Sequence, residues 1–196
     1  MTTDPLLTIN IVTYNHMPFK LLACLYSLLC QVEDNWIADV YHDGPADKET
    51  KNFMFNLLDF EYPIEFMWTN ERSNKYGHDM RQKSLDRCKT KYIHFMNGDN
   101  LFFPTFSKET VNILESTGKD MVIFPIVHNY ARGNYQVLDP QPSINNIDVS
   151  SFVVKTEIAK QVNWSYDFAA DGKFVEDLIK LGISWIKIPQ ILLCHN

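Results

Sequence analysis

The sequence predicts an α/β fold in which helices cover both faces of a mainly parallel central sheet. Short apolar runs rich in β-branched residues alternate along the chain with segments whose apolar residues have helical spacing. Units of strand, helix and strand form parallel sheets with short connections. The chain has no internal repeat, low-complexity tract or long charge run. We therefore expect one domain over residues 1–196.

The first half of the chain gives the clearest pattern of elements. Residues 6–13 (LLTINIVT) form an apolar run that stops at a polar Tyr-Asn-His, as a buried strand does at a loop. Leucines at helical spacing follow over 19–29, and Pro18 suits the first turn of a helix. By the same criteria, further strands are predicted at 36–41, 64–68 and 92–96, and further helices at 48–58, 77–88 and 106–117.

The second half is less regular. Residues 127–146 collect Asn, Pro, Gly and Gln without periodicity, which predicts a long loop that would serve as a substrate lid or acceptor-side segment. After it, the chain is expected to close with a tail over 189–196. The elements predicted around this loop are strands at 120–126, 147–154 and 184–188 and helices at 155–162 and 170–181.

Composition excludes several classes of function. A formal net charge of −6 argues against nucleic acid as a partner, because such modules carry an excess of Lys and Arg. Residues 1–5 lack a basic segment, and the apolar run after them is too short for a leader or a membrane span. Four dispersed cysteines without a C-x-x-C pair indicate reduced, mostly buried thiols. We therefore expect a cytoplasmic protein.

Polar residues follow three of the predicted strands. The first strand ends in Thr13-Tyr14-Asn15, the second in His42-Asp43-Gly44 and the fourth in Asn97-Gly98-Asp99-Asn100. Ligands of open α/β sheets bind at the carboxyl ends of strands, so these ends predict a site. The seven glycines never fall into G-x-G-x-x-G or P-loop spacing, which excludes the usual dinucleotide and P-loop sites.

These strand ends, together with their neighbours, resemble family 2 inverting glycosyltransferases, which have the GT-A fold. The resemblance lies first in INIVTYN at 9–15, YHDG at 41–44, NKYGHDMR at 74–81 and YIHFMNGDN at 92–100. The last third is similar through an acidic helix start, a glycine eleven positions later, an Ile-Pro pair and a late histidine. These residues are Asp171, Gly182, Ile188, Pro189 and His195.

The resemblance implies a single GT-A catalytic domain, with a nucleotide-sugar-binding half at 1–100 and an acceptor-binding half at 101–196. It implies a donor site built from seven residues, which are Thr13, Tyr14, Asn15, Asp43, Arg81, Asn97 and Gly98. For some of these positions a structural role is an alternative: Asp43-Gly44 is also a common turn, and Arg81 would otherwise be an exposed helix arginine. Lys75 and His78 are weaker candidates for the same site.

A divalent cation, Mn²⁺ or Mg²⁺, is the implied cofactor. Asp99 would hold it against two phosphate oxygens of the donor, and His195 would complete the site, since imidazole suits Mn²⁺ better than Mg²⁺. Asn97 stands where the family usually has a first aspartate, so one negative charge is missing. We expect weaker metal affinity for this reason.

Asp171 is the implied catalytic base, at the start of a helix. Its competitors are Asp167, Glu176 and Asp177, and the alternative for Asp171 is a helix N-cap. Trp164 and Tyr166 would stack on a sugar ring or pack in the core.

The function expected from this reading is inverting transfer of a sugar from a nucleotide diphosphate, with UDP the expected nucleotide, to a hydroxyl of a glycan or small molecule. The main alternative is a non-catalytic nucleotide- or sugar-binding module of the same fold. A nucleotidyltransferase is disfavoured because no glycine-rich loop follows the first strand. A hydrolase with two carboxylates is a weaker alternative.

Overall fold

The computed structural model describes residues 4–14, 18–58, 62–129 and 133–195. Over these ranges the helices are α1 (Pro18–Leu29), α2 (Lys48–Leu58), α3 (His78–Arg87), α4 (Phe106–Thr117), α5 (Thr156–Ala159) and α6 (Ala170–Lys180). The strands are β1 (Leu7–Tyr14), β2 (Trp36–Asp43), β3 (Ile64–Trp68), β4 (Tyr92–Asn97), β5 (Asn100–Phe102), β6 (Met121–Ile123), β7 (Ile126–Asn129), β8 (Tyr135–Leu138), β9 (Phe152–Lys155), β10 (Trp185–Lys187) and β11 (Leu193–His195).

The larger sheet has seven strands in the order β10-β6-β9-β4-β1-β2-β3. Its neighbours pair in parallel except at β9, which is antiparallel to β4 and β6. In this register Tyr14 lies opposite Asp43, and Val12 lies opposite Asn97. The parallel strands β1, β2 and β4 therefore end at one edge, as the sequence predicts.

Helices cover both faces of this sheet, which confirms the predicted architecture. Side chains alternate between the faces of a strand, and β4 sends Tyr92 and Met96 into one apolar cluster and Ile93 and Phe95 into another. The first cluster includes residues of α1, α2 and α4, and the second includes residues of α3, α5 and α6. The sheet is thus the middle layer of three.

A second, smaller sheet lies beside the edge where β4 ends. Its order is β5-β11-β7-β8, so the late strand β11 lies between two strands from the middle of the chain. β11 is antiparallel to β5 and parallel to β7, and its Leu193 is fully buried. The tail over 189–196, for which no element was predicted, therefore contains a strand.

The prediction of one strand over 120–126 is wrong. β6 ends at Ile123 in the large sheet, and β7 begins at Ile126 in the small one. The change of sheet occurs at Phe124 and Pro125, where proline has no N–H to donate to a ladder. The prediction of a loop over 127–146 is also partly wrong, because β7 and β8 pair there as antiparallel strands.

Two more elements are shorter than predicted. Of the strand expected over 147–154, only the end belongs to β9, while 147–151 is irregular. The helix expected over 155–162 is the four-residue α5. Ile147 and Val149 are buried in the second apolar cluster without forming a strand. Their burial explains why the apolar pattern of this segment resembles that of a strand.

Candidate active site

A cleft of about 490 Å³ opens at the edge where β1, β2 and β4 end. It is lined by the ends of these strands, by residues between β3 and α3, by the turn before β9 and by the start of α6. Eight of the predicted site residues lie on this wall: Thr13, Tyr14, Asp43, Arg81, Asn97, Gly98, Asp99 and Asp171. Asn15 lies outside the described residues, and His195 is not among the lining residues that the structure describes.

Asp43 is held in place at the end of β2. Its side chain is only 7% exposed, and Oδ1 accepts a hydrogen bond of 2.7 Å from the backbone N–H of Ser73. The Nε of Arg72 lies 3.8 Å from Oδ2, and the same guanidinium stacks over the ring of Tyr14 at 4.7 Å. The carboxylate therefore joins two loops of the cleft instead of merely closing an Asp-Gly turn.

Gly98 and Asp99 follow β4 directly. A Cβ at Gly98 would lie 2.9 Å from Cβ of Thr13, so the ends of β1 and β4 can approach this closely only with glycine. The Oδ1 atom of Asp99 is buried and has no hydrogen-bond partner within the described chain. A buried carboxylate oxygen without a donor is the kind of atom that a cation satisfies.

Arg81 is a buried cation at the base of the cleft, which corrects the alternative of an exposed helix arginine. The side chain is 1% exposed, and Nη1 donates to the carbonyl of Tyr76 at 2.8 Å while Nη2 donates to Oδ1 of Asn97. Burial lowers the pKa of Arg81 to about 10, and the nearby carboxylates of Asp171 and Asp148 oppose this shift. Arg81 stays charged at neutral pH.

The bond from Arg81 gives Asn97 a role of its own. Its amide oxygen accepts a hydrogen bond from the guanidinium. Asn97 therefore positions Arg81 at the end of β4.

Gly77 determines where Arg81 lies. It precedes α3 with a φ of 76°, and a Cβ there would approach Cγ1 of Val12 to 2.4 Å. Both the left-handed backbone and the contact with β1 require glycine. The start of α3 is thereby fixed against the end of β1.

Asp171 is the second residue of α6 and does not cap it, since the residue preceding the helix is Ala169. Its Oδ1 accepts a hydrogen bond of 2.9 Å from the N–H of Gly172. Burial raises the pKa of Asp171, the charge of Asp148 raises it further, and Arg81 lowers it. A half-buried carboxylate with a raised pKa is a suitable proton acceptor near neutral pH.

The competing acids have other contacts. Asp167 accepts from the N–H of Ala169, Glu176 accepts from that of Ile144, and Asp177 pairs with Lys180. None of the three belongs to the described lining of the cleft.

His195 lies in β11, in register with Asn100 of β5 and His128 of β7. The two imidazoles stack with centroids 4.3 Å apart and planes 11° apart. Ligand atoms of His128, Asp148 and His195 lie within 4.8 Å of one another, a group that does not include Asp99. Burial lowers the pKa of His128, and the charge of Asp99 is among the opposing effects.

Sequence reasoning missed both His128 and Asp148. Neither lies in a recognisable motif, and only the pairing of β7 with β11 brings the two histidines together. Asp148 could have been suspected only as an isolated acid in a polar stretch.

Aromatic side chains lie in the cleft and close to it. Phe168 is 83% exposed and Tyr76 is 62% exposed, and their rings meet edge to face at 6.0 Å. Tyr166 is exposed beneath the ammonium group of Lys75 at 4.6 Å. Trp164, in contrast, is buried and stacks on Phe174 at 4.3 Å, so it belongs to the core.

The remaining sequence-based expectations concern thiols and membranes. All four cysteines are free, Cys24 and Cys88 are buried, and Cys30 is exposed. No helix in the described part of the chain has the length and apolarity to cross a bilayer.

The fold and the acidic cleft at its strand ends define a transferase of the GT-A class. The model of glycosyl transferase family 2 matches residues 8–174, and the chain belongs to that family. No curated protein matches the sequence.

Solved structures with the same fold include two Staphylococcus aureus TarS structures and a Pyrobaculum calidifontis mannosyltransferase. TarS 1–349 gives a TM-score of 0.75 at 12% identity over 96% of this chain, which spans 60% of that structure. TarS 1–349 in complex with UDP-GlcNAc gives 0.77 at 13% identity, covering 96% and 57% of the two chains. The mannosyltransferase PcManGT, in complex with GDP-Man and Mn²⁺, gives 0.76 at 13% identity, covering 98% and 57%.

Proposed function

We propose that this protein is an inverting glycosyltransferase that moves a sugar from a nucleotide diphosphate to a hydroxyl of a glycan or small molecule. One observation carries the proposal: Asp43, Asp99 and Asp171, which are far apart in the sequence, line one cleft around the buried cation Arg81. Each carboxylate has a distinct environment, as a site with three separate tasks requires. The residues before 101 then serve the donor, and Asp171 serves the acceptor.

Asp43 and its neighbours are the proposed nucleoside site. A buried carboxylate at the end of β2 accepts hydrogen bonds from the N–H groups of a base, and Tyr14 with Arg72 offers a flat surface for it. UDP is the expected nucleotide. TarS has been solved with UDP and UDP-GlcNAc, and PcManGT with GDP-Man, so both nucleotides must be compared.

Asp171 is the proposed base. It accepts the proton of the acceptor hydroxyl while the hydroxyl oxygen forms a bond to the anomeric carbon, and the bond from that carbon to the diphosphate breaks. The electron pair leaves with the diphosphate, so a single displacement inverts the anomeric configuration. Arg81 faces the same cleft and stabilises negative charge there.

A divalent cation, Mn²⁺ or Mg²⁺, is the proposed cofactor. The residues fit one, because Asp99 and His195 each have a buried polar atom without a partner among the described residues. When bound, the ion would neutralise the charge that develops on the leaving diphosphate. We also propose a cytoplasmic location, since four free thiols suit a reducing compartment.

Calorimetry with UDP and GDP, each with and without Mn²⁺, tests the donor site. We expect one nucleotide to bind more tightly with the metal, Asp43→Ala to lose nucleotide binding, and Asp99→Ala to lose the increment due to metal. Asp86→Ala is the control, because Asp86 is exposed on α3 and bonds only to Gln82 in the described contacts. Absence of binding by both nucleotides would refute the proposal.

A non-catalytic module of the same fold is the second candidate. It is favoured by Asn97, whose amide oxygen binds Arg81 where the family usually has an acidic residue. This alternative predicts nucleotide binding without turnover of any UDP-sugar or GDP-sugar, including hydrolysis by water.

A further inference from the structure

Two exposed aromatic rings, those of Tyr76 and Phe168, form an aromatic corner in the cleft. Both residues line the cleft, and their rings meet at 6.0 Å with planes 77° apart. Because the rings are nearly perpendicular, a flat ligand on the face of one ring has its edge against the other. Phe168 lies three positions before Asp171, which lines the same cleft. The aromatic corner therefore belongs to the same cleft as the proposed base.

The backbone of Tyr76 is strained. Its φ is 54°, in the left-handed region, where a bulky side chain costs free energy and is found mostly at functional sites. The carbonyl of Tyr76 accepts a hydrogen bond of 2.8 Å from Nη1 of the buried Arg81, and Gly77 then packs closely against Val12 of β1. These contacts hold the Tyr76 ring in the cleft although the conformation costs stability. The strain indicates that the ring itself has a task there.

Phe168 lies in a turn that is fixed by its own hydrogen bonds. Oδ1 of Asp167 accepts a hydrogen bond of 3.0 Å from the N–H of Ala169, and the carbonyl of Asp167 accepts one of 3.3 Å from the first N–H of α6. Just before this turn, Trp164 stacks on His78 of α3 at 5.3 Å with planes 7° apart. The segment that carries Phe168 is therefore attached to both α6 and α3, and the aromatic corner is preformed.

We infer that Tyr76 and Phe168 bind a pyranose ring of the acceptor, so that the acceptor is a glycan and not an acyclic alcohol. A pyranose has an apolar face of C–H groups and a rim of hydroxyls, which matches exposed aromatic rings among polar side chains. Asn74 and Asp148 are such polar neighbours in the lining of the cleft. A lipid chain would leave them without partners, and an acyclic polyol would leave both rings in water. The inference rests on the proposed function and names its class of acceptor.

Saturation-transfer NMR with cellobiose, lactose, maltose and N,N′-diacetylchitobiose, without nucleotide, tests the aromatic corner. We expect saturation of the C–H protons on one face of a pyranose, and weaker saturation of glycerol and ribitol. Phe168→Ala should weaken disaccharide binding at least about fivefold, the lower limit for stacking of a nucleobase on an aromatic side chain. Phe19→Ala is the matched control, because Phe19 is 76% exposed on α1 and does not belong to the described lining of the cleft.

Tyr76→Asn separates binding from structure. Asparagine tolerates the left-handed region, and the substitution removes the ring while keeping the carbonyl that accepts from Arg81. We expect weaker disaccharide binding together with a Tm at or above that of the parent. A lower Tm with unchanged disaccharide binding would show that the ring is structural and would overturn the inference.

The remaining outcomes distinguish this inference from the proposed function. Absence of saturation transfer to all four disaccharides overturns the inference, as does binding of glycerol or ribitol that is equally strong. Calorimetry should give the same affinity of Phe168→Ala and the parent for UDP and GDP, and a matching loss of nucleotide affinity would assign the aromatic corner to the donor instead. If neither nucleotide binds the parent, the proposed function fails, whereas the NMR experiment still reports on sugar binding because it needs no nucleotide.

Discussion

At the scale of single residues, one substitution of Asp171 should lower the activity and raise the stability of the protein. Asp171→Asn removes the proposed base, and we expect kcat to fall by about 10²–10⁴-fold, the usual contribution of general base catalysis. The near-isosteric amide keeps the acceptor for the Gly172 N–H. Steady-state kinetics with the donor found by calorimetry checks this, and a fall smaller than tenfold would contradict the assignment.

The same variant should be more stable than the parent at neutral pH. Burial raises the pKa of Asp171, so the folded state holds the proton more tightly than the unfolded chain does. The stability that this tighter proton binding contributes is fully present below the pKa of Asp171 in the unfolded chain. It is lost as the pH rises through the pKa of Asp171 in the folded state. At pH 7 the ionised carboxylate therefore destabilises the fold, and thermal melting should give a higher Tm for Asp171→Asn. The difference should vanish at acidic pH.

Arg81 should control the protonation of Asp171. Arg81 is fully buried and its charge lowers the pKa of Asp171, so Arg81→Met should raise that pKa further. An NMR titration of the Asp171 carboxyl carbon measures this without needing turnover. Lys75→Met is the control, because Lys75 is exposed and stacks on Tyr166 outside the cleft. A shift to lower pH in Arg81→Met would contradict the electrostatic account.

Sequence reasoning found the cleft because its residues follow strand ends, where topology alone brings them together. Thr13, Asp43 and Asp99 are close for that reason, and Asp171 was found through its place at a helix start. His128 could not be found in this way, because its proximity to His195 depends on a register between strands that no local pattern encodes. The burial of Arg81 could not be predicted from the sequence either, since it results from the close approach of α3 to β1 at Gly77.

At the scale of elements, the start of α6 depends on contact with the turn around Ile144. A Cβ at Gly172 would lie 2.6 Å from Cα of Ile144, so Gly172→Ala must move the first turn of α6 and Asp171 with it. We expect a loss of about 1–3 kcal/mol in stability, typical of overpacking, together with a lower kcat. Chemical denaturation and kinetics measure the two effects.

Gly118→Ala provides the comparison for that variant. Gly118 has a φ of 68° but no atom within 4 Å of an added Cβ, so its substitution costs about 1–2 kcal/mol of backbone strain far from the cleft. Stability should fall in both variants, and kcat only in Gly172→Ala. Equal losses of kcat would show that activity simply follows stability.

The sequence allowed β1–β4 and α1–α4 to be predicted, because their apolar residues follow the spacing that their burial requires. The strands are continuous apolar runs in a buried sheet, and the helices have one apolar face that packs on it. The interval from Met121 to Asn129 was not predictable, since a continuous apolar run does not show where a chain leaves one sheet for another. Pro125 was the only local signal of that change. The short α5 and the irregular 147–151 show the opposite case, in which tertiary burial produces an apolar pattern without a regular element.

At the scale of the whole molecule, the proposed donor and acceptor halves share one sheet. β9, β6 and β10 extend the sheet from β4, and β11 completes the small sheet with β5. Residues from both halves also share each of the two large apolar clusters. The proposed boundary near residue 100 therefore lies inside one continuous sheet.

This continuity predicts a single cooperative unfolding transition. Trp36 lies in the first apolar cluster and Trp164 in the second, on opposite faces of the sheet, so their fluorescence reports on both layers. Urea transitions of Trp36→Phe and Trp164→Phe, each made in a background with Trp68→Phe and Trp185→Phe so that one buried tryptophan remains, should match circular dichroism within each variant. Separate transitions would show that the halves unfold independently. A single transition would mean that a donor bound near β1 also stabilises α6, because binding to the folded state stabilises the whole cooperative unit.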